Sequence, residues 1–266
     1  MSLLTFPKRL KQTARIALDD WRAARHKTLT PPPNLSAAEQ TLLADLETNG
    51  FAMVPGFWSR EQAVAARDTL LATTTQPNTE FESGAYLRHG VGGQAYGEGI
   101  TRIYHAEKVL PELAEFRHHP LPLTLAHAYY GTPFYTGLLI FQHNKAGTTD
   151  GGYHVDGYKR EFKSFLYLDD VTEDNGPFTY LRGSHKRHWR RMVRQLQGTR
   201  NGSPTNFARE DLRDLLHDEV KLTAPAGTLL LADVRGFHFG SPQQSGARSV
   251  LVNYIMQTPG ELQIGR

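Results

Sequence analysis

Two side chains that commonly bind metals lie two positions apart in the segment Gly151-Gly-Tyr-His-Val-Asp-Gly157. On an extended backbone, residues i and i+2 project to the same side, so the imidazole of His154 and the carboxylate of Asp156 can face one point. These groups are two of the three protein ligands of a 2-His-1-carboxylate iron(II) site. Alone the pair is a weak signal, and a hydrogen-bonded surface pair is the alternative.

A second signal lies about eighty residues downstream, where the apolar run that begins at Leu229 ends at a further candidate ligand, His238. A turn over 241–246 and another apolar run follow, which predicts a hairpin with Arg248 near His238 on the adjacent strand. A buried arginine needs an anion as its partner, and its planar fork matches a carboxylate. A structural salt bridge is the alternative for Arg248.

The elements that must position these residues form a helical first part and a strand-rich second part. Ser36 and Ser59 predict helix starts, the latter with Gln62 in a capping-box arrangement. Later runs rich in β-branched and aromatic residues predict strands between glycine and proline turns. The order predicts a mainly β fold, a sandwich or barrel with helices packed outside. We predict helices over about 109–117 and 120–130, and strands at 51–55, 134–144, 162–168, 178–181, 228–232 and 249–255.

We divide the chain into a basic amphipathic helix over residues 1–30 and a single domain over 31–266. The helix carries Leu10, Ala14, Leu18 and Trp21 at helical spacing, with seven basic and two acidic residues among residues 1–27. This pattern favours contact with an anionic membrane surface, and packing on the protein's own domain is the alternative. The domain contains a glycine-rich loop or lid over 84–99 and a basic helical insertion over about 185–217.

Composition excludes several classes of protein. The 266 residues contain no cysteine, which rules out disulfide scaffolds, thiol catalysis and cysteine-ligated metals, and favours the cytosol. No apolar run is long enough for a transmembrane helix. The net charge of +3 is concentrated in residues 1–27 and 182–200, and the remainder is acidic, which argues against nucleic acid as a partner.

Taken jointly and in this order, the motifs resemble the phytanoyl-CoA dioxygenase family of Fe(II)/2-oxoglutarate oxygenases. The resemblance spans about residues 134–256 and rests on His154-Val-Asp156, on the segment Asp174-Asn-Gly-Pro-Phe-Thr-Tyr-Leu-Arg-Gly-Ser-His-Lys186, and on His238 with Arg248. In the middle segment, Arg182 stands where the family usually has proline. The resemblance implies a double-stranded β-helix, the jelly-roll core of cupin-like proteins.

The same resemblance implies roles for individual residues. His154, Asp156 and His238 would be the iron ligands and the catalytic centre, and Arg248 would bind the distal carboxylate of 2-oxoglutarate. Gln142 and Phe165 would line the cosubstrate pocket. Ser241 is the nearest match to the family's small hydroxyl residue, although the run His-Phe-Gly-Ser displaces it. The candidate substrate-binding residues are Arg187, Arg191, His185, Tyr153 and Asn144.

The implied reaction uses Fe(II), 2-oxoglutarate and O2, releases succinate and CO2, and hydroxylates an unactivated C–H bond. The basic segment 182–200 favours a small anionic substrate: a carboxylate, a phosphate, an acidic sugar or a membrane-surface glycolipid. Because Asp156 supplies a carboxylate, halogenation is disfavoured. Two alternatives stay open: desaturation or cyclisation in natural-product biosynthesis, and a non-catalytic jelly-roll that binds a metal or sugar. We expect a cytoplasmic protein, with peripheral contact at the inner membrane surface as an open alternative. The sequence does not predict the oligomeric state.

Overall fold

The computed structural model describes residues 33–91, 99–149, 151–157, 160–186 and 205–260, together with Leu10, Ala14 and Leu18. These ranges contain eleven strands and four α-helices. All four helices precede residue 135, and most of the strands follow it. The helices are α1 (Ala37–Asn49), α2 (Arg60–Thr73), α3 (Leu113–Arg117) and α4 (Pro120–Tyr130). The strands are β1 (Phe51–Val54), β2 (Thr79–Glu80), β3 (Tyr86–His89), β4 (Ile100–Tyr104), β5 (Tyr135–Asn144), β6 (Glu161–Tyr167), β7 (Phe178–Leu181), β8 (Glu219–Leu222), β9 (Leu229–Asp233), β10 (His238–Gly240) and β11 (Arg248–Met256).

The strands of the described chain form two antiparallel sheets. The large sheet has the order β1-β9-β6-β11-β5-β4-β3-β2, and the small sheet has the order β10-β7-β8. One hydrophobic core fills the space between the sheets, and a second lies between the large sheet and the helices. The mainly β architecture with external helices is therefore confirmed.

Strand β9 shows how the sequence specifies both cores. Its side chains alternate: Leu229 and Leu231 pack in the outer core, whereas Leu230 and Ala232 pack between the sheets. All four are fully buried. A strand that is covered on both faces requires apolar residues at every position, which explains the uninterrupted apolar run before Asp233.

Both predicted helix starts are confirmed. Ser36 accepts from the backbone N–H of Glu39 and Ser59 from that of Gln62, and each helix has the reciprocal side-chain bond of a capping box. Helix α1 ends at Gly50, which adopts φ 89°. A Cβ at Gly50 would lie 2.4 Å from the Tyr180 hydroxyl, so both backbone conformation and close packing require glycine there.

Two sequence-based expectations about the sheets are wrong. Residues Tyr86–His89 form β3, a strand of the large sheet, inside the segment predicted as a loop, while residues 92–98 of that segment lie outside the described ranges. Strands β10 and β11 do not pair, because β10 pairs with β7 in the small sheet and β11 pairs with β5 and β6 in the large one. Arg248 and His238 therefore lie on different sheets.

The two basic segments are only partly described. Residues 187–204 lie outside the described ranges, and the following part of the predicted insertion contains two short 3-10 helices, Arg209–Leu212 and Leu216–Asp218. In the N-terminal segment, Leu10 and Leu18 are 50% and 43% exposed. The domain boundary at residue 30 stays a prediction. Among the described residues, no helix is long and apolar enough to cross a membrane.

Candidate metal centre

His154, Asp156 and His238 converge at one end of the space between the sheets. Each offers one ligand atom, and these three atoms lie within 4.8 Å of one another. The Nε2 atoms of His154 and His238 are each 3.6 Å from an Asp156 carboxylate oxygen, the first from Oδ1 and the second from Oδ2. Two imidazoles and one carboxylate are the donor set that a 2-His-1-carboxylate iron site uses.

The two histidines are joined to each other through their main chains. The His154 amide donates to the His238 carbonyl at 2.9 Å, and the His238 amide donates to the His154 carbonyl at 3.0 Å. The Asp156 amide donates to the carbonyl of Val234 at 3.1 Å. Backbone hydrogen bonds therefore link the loop after β5 to the segment that leads into β10, and they hold all three ligands in register.

Backbone carbonyls also determine which imidazole nitrogen is available. The Nδ1 atoms of His154 and His238 lie 3.1 Å and 2.8 Å from the carbonyl oxygens of Gly152 and Gly236. A carbonyl can only accept, so each Nδ1 carries the proton and each Nε2 presents its lone pair to the cluster. Burial, together with the nearby His238, lowers the pKa of His154 to about 4, so this imidazole is neutral at neutral pH.

Asp156 has a cationic neighbour, Lys163 in the middle of β6. The Lys163 ammonium donates to Asp156 Oδ2 at 2.6 Å and lies 3.9 Å from the ring centroid of Tyr254. Desolvation opposes ionisation of Asp156, but Lys163 and then His238 outweigh it and hold the pKa of this carboxyl well below its usual value. Desolvation likewise opposes the Lys163 charge, but Asp156 outweighs it and raises the pKa of Lys163. Both groups are therefore charged at neutral pH.

A cavity of about 130 Å³ extends from the triad to Arg248. Arg248 is 5% exposed, and one of its terminal nitrogens donates to the carbonyl of Gly176. Its Nε has no hydrogen-bond partner, and none of the described residues forms an ion pair with the guanidinium. Burial lowers the pKa of Arg248. An unpartnered donor on a buried cation fits the carboxylate of a bound ligand.

Polar side chains continue from Arg248 across the large sheet. Arg102 Nε donates to Gln142 Oε1 at 2.8 Å, and Gln142 Nε2 donates to Asn144 Oδ1 at 2.8 Å. All three side chains line the cavity, as does the ring of Phe165. Asn144 stands opposite Arg248 in the register of β5 and β11. The cavity lining therefore combines polar side chains with aromatic rings.

Comparison with known proteins identifies this arrangement. Residues 46–250, about three quarters of the chain, match the phytanoyl-CoA dioxygenase (PhyH) family. The chain belongs to the phytanoyl-CoA dioxygenase family. A search of curated protein sequences found no significant match. The predicted family is thus confirmed, and with it the prediction of an Fe(II)/2-oxoglutarate-dependent oxygenase.

Solved structures support the fold of a phytanoyl-CoA dioxygenase family member. The epimerase SnoN in complex with Fe3+, alpha ketoglutarate and nogalamycin RO is 18% identical with a TM-score of 0.61, covering 83% of this chain and 84% of that chain. The carbocyclase SnoK from nogalamycin biosynthesis is 18% identical with a TM-score of 0.61, and the match covers 89% of this chain and 96% of SnoK. EctD from S. alaskensis with bound Fe is 16% identical with a TM-score of 0.61, and the match covers 89% of this chain and 83% of EctD. The predicted jelly-roll fold is confirmed.

Three other sequence candidates do not line the cavity of this phytanoyl-CoA dioxygenase family member. Tyr153 is buried against Phe239, and its hydroxyl donates to Glu219. His185 is buried near the end of α1, with its Nε2 3.2 Å from the carbonyl of Glu47, and burial lowers its pKa to about 4. Ser241 hydrogen-bonds Thr179 at 2.7 Å. Arg187 and Arg191 lie outside the described residues.

Lys163 and Arg102 line the cavity but were missed in the sequence. Lys163 is a charged residue within a predicted strand, which is the same signal that singled out Arg248. Arg102 lies in a five-residue strand directly after the glycine-rich segment, where no strand was predicted. A larger cavity of about 430 Å³ lies against α2 and α3, and none of the candidate site residues that the structure describes lines it.

Proposed function

We propose that this protein is an Fe(II)/2-oxoglutarate-dependent hydroxylase whose metal ligands are His154, Asp156 and His238. The observation that carries the proposal is a single cavity lined both by this triad and by the buried guanidinium of Arg248, whose Nε has no hydrogen-bond partner. When bound, iron with 2-oxoglutarate and dioxygen supplies the oxidation of an unactivated C–H bond, with formation of succinate and CO2.

The chain's own residues bind and orient the reactants. Arg248 holds the distal carboxylate of 2-oxoglutarate, because its Nε and terminal nitrogens form the planar fork that a carboxylate matches. Phe165 and Phe178, whose rings are 4.9 Å apart, form an apolar wall that excludes water beside the triad. Gln142 and Asn144 add polar groups to the cavity lining and are fixed by their mutual hydrogen bond.

The test of this function is succinate formation from 2-oxoglutarate by the purified protein with Fe(II) and ascorbate. Removal of Fe(II) with a chelator should stop the reaction. Binding of metal without any 2-oxoglutarate consumption would instead favour a non-catalytic metal- or sugar-binding jelly-roll. Once a substrate is known, labelled dioxygen separates the outcomes, because hydroxylation places one labelled oxygen in the product whereas desaturation and cyclisation place none.

The charge of the cavity favours an anionic substrate. In the described part of the chain, its lining includes three cations, Arg102, Lys163 and Arg248, but only one carboxylate, that of Asp156. The two positive charges of Fe(II) cancel the two negative charges of 2-oxoglutarate. The loaded cavity therefore keeps the excess positive charge of its lining. Among the described residues, the terminal nitrogens of Arg102 have no hydrogen-bond or ion-pair partner, since its recorded bond is from Nε to Gln142. A carboxylate, phosphate or acidic sugar supplies the missing anion.

We expect Arg102→Met to raise the KM of an anionic substrate by about 10- to 100-fold, the loss of one or two charge-assisted hydrogen bonds. A panel of carboxylated, phosphorylated and glycolipid compounds, scored by stimulation of succinate release, supplies the substrate. The matched control is Arg88→Met on the neighbouring strand, because Arg88 stands opposite Arg102 but pairs with Glu80 at 2.8 Å. A larger change in the Kd of 2-oxoglutarate than in the substrate KM would assign Arg102 to the cosubstrate and contradict this role.

The N-terminal segment supports a further part of the proposal: a cytoplasmic enzyme that contacts an anionic membrane surface through residues 1–27. Leu10, Ala14 and Leu18 share helical spacing and are exposed. Deletion of residues 1–27 should reduce sedimentation with vesicles that contain anionic lipid, and high salt should reduce it for the full chain. Equal sedimentation of both proteins would remove the membrane role. The assignment of Arg187 and Arg191 to substrate binding likewise stays a prediction.

A further inference from the structure

Lys163 occupies an unusual place for a lysine. It lies in β6, which is paired on both sides within the large sheet, and it is 5% exposed. Three neighbours fix its ammonium: Asp156 Oδ2 at 2.6 Å, Glu161 Oε1 at 3.6 Å and the ring of Tyr254 at 3.9 Å. The lysine therefore has a defined position beside the triad rather than a mobile one in solvent.

Its contact makes the two oxygens of Asp156 inequivalent. Each oxygen lies 3.6 Å from one triad imidazole, Oδ1 from His154 Nε2 and Oδ2 from His238 Nε2, but only Oδ2 also accepts a hydrogen bond from the ammonium. A metal cation that approached Oδ2 would come close to a second positive charge, and the repulsion is strong where little water screens it. Only Oδ1 is free of this conflict.

We propose that Lys163 is a positioning residue that restricts Asp156 to one-oxygen coordination of the metal, an inference that rests on the triad assigned above. One oxygen from Asp156 and one nitrogen from each histidine leave three positions of an octahedral metal free. Coordination by both carboxylate oxygens would leave two, enough for a chelating cosubstrate but not for dioxygen as well. The lysine thus keeps open the third position.

The number of water molecules on bound Mn(II) tests this inference without turnover. Oxygen-17 water broadens the electron paramagnetic resonance lines of Mn(II) in proportion to the number of bound waters. We expect three waters in the protein without 2-oxoglutarate, and two in Lys163→Met, because the freed Oδ2 takes one position. Two waters in the unaltered protein would overturn the inference.

Metal affinity gives a second readout that damage to the fold would not imitate. Lys163→Met removes a positive charge from the site and should therefore bind Mn(II) about tenfold more tightly, whereas general damage weakens binding. Lys163→Gln, which retains a donor but no charge, should behave in the same way and replaces the methionine variant if that one does not fold. Three waters or unchanged affinity in the folded variant overturns the role of Lys163.

The control variant is Lys221→Met, which removes a lysine that is 41% exposed and pairs with Glu173 at the surface. Its water count and its Mn(II) affinity should equal those of the unaltered protein. His154→Ala identifies the site that is being measured. Mn(II) binding that survives this substitution shows that the triad is wrongly assigned, a failure distinct from an error about Lys163.

Discussion

His154→Ala should reduce 2-oxoglutarate-dependent succinate formation to below about 1% and weaken metal binding by at least about 100-fold. Loss of a hydrogen-bond partner behind a metal ligand already costs about 10- to 100-fold in affinity or activity, so loss of the ligand itself costs more. The imidazole is neutral with Nε2 unprotonated, and its removal leaves two protein donors, His238 and Asp156. Mn(II) affinity and anaerobic 2-oxoglutarate binding measure the effect independently of turnover.

His217→Ala is the matched control for this prediction. The side chain of His217 is 73% exposed, lies outside the cavity and pairs with the neighbouring Asp218 at 3.2 Å. Its loss should change neither metal affinity nor succinate formation by more than about twofold, as for most surface substitutions. Succinate formation that persists at full rate in His154→Ala would refute the metal ligand set.

Arg248→Met should raise the Kd of 2-oxoglutarate by about 100-fold. Two hydrogen bonds between a guanidinium and a carboxylate contribute about 3 kcal/mol in total, and each 1.4 kcal/mol is a tenfold change. Mn(II) affinity should change far less than in His154→Ala, because Arg248 contacts none of the triad. Titration with 2-oxoglutarate under anaerobic conditions, followed by the visible absorption of the Fe(II) complex, gives the Kd of 2-oxoglutarate, and a separate titration with Mn(II) gives the metal affinity.

Stability measurements extend the test of Arg248. A buried cation with an unpartnered Nε destabilises the ligand-free protein, so methionine at this position should leave its unfolding temperature unchanged or higher. At 100 times its Kd, 2-oxoglutarate should stabilise the metal-loaded, unaltered protein by about 2.7 kcal/mol and Arg248→Met by much less at the same concentration. The exposed Arg60, which pairs with Asp170, provides the control Arg60→Met. Equal stabilisation of all three proteins would remove Arg248 from the cosubstrate site.

The sequence predicted those parts of the fold in which local and tertiary preferences agree. The capping boxes at Ser36 and Ser59 satisfy the free N–H groups of their helix N-termini with residues close in sequence. Long apolar strands such as β5 and β11 are buried by any arrangement of the sheets. The spacing of His154 and Asp156 was informative for the same reason, because an extended segment places both on one side whatever surrounds it.

The short strands β2, β3, β4 and β8 escaped prediction, and β10 and β11 were wrongly predicted to pair with each other, both for physical reasons. Strand β3 contains Arg88 and His89 after two apolar residues, and its stability comes from β4 rather than from its own composition. Arg102 was missed with β4. A turn between two apolar runs usually joins neighbouring strands, but here the chain crosses from the small sheet to the large one. Only contacts distant in sequence select that crossing.

The reciprocal main-chain bonds between His154 and His238 have a consequence for how the protein handles iron. The frame that aligns the two imidazoles is part of the hydrogen-bonded fold, so its formation does not await the metal. Loss of iron then removes a ligand from a finished site instead of dismantling a domain, unlike in small proteins whose folding free energy comes from the metal. We therefore expect the metal-free protein to keep its fold and to bind Fe(II) again without refolding.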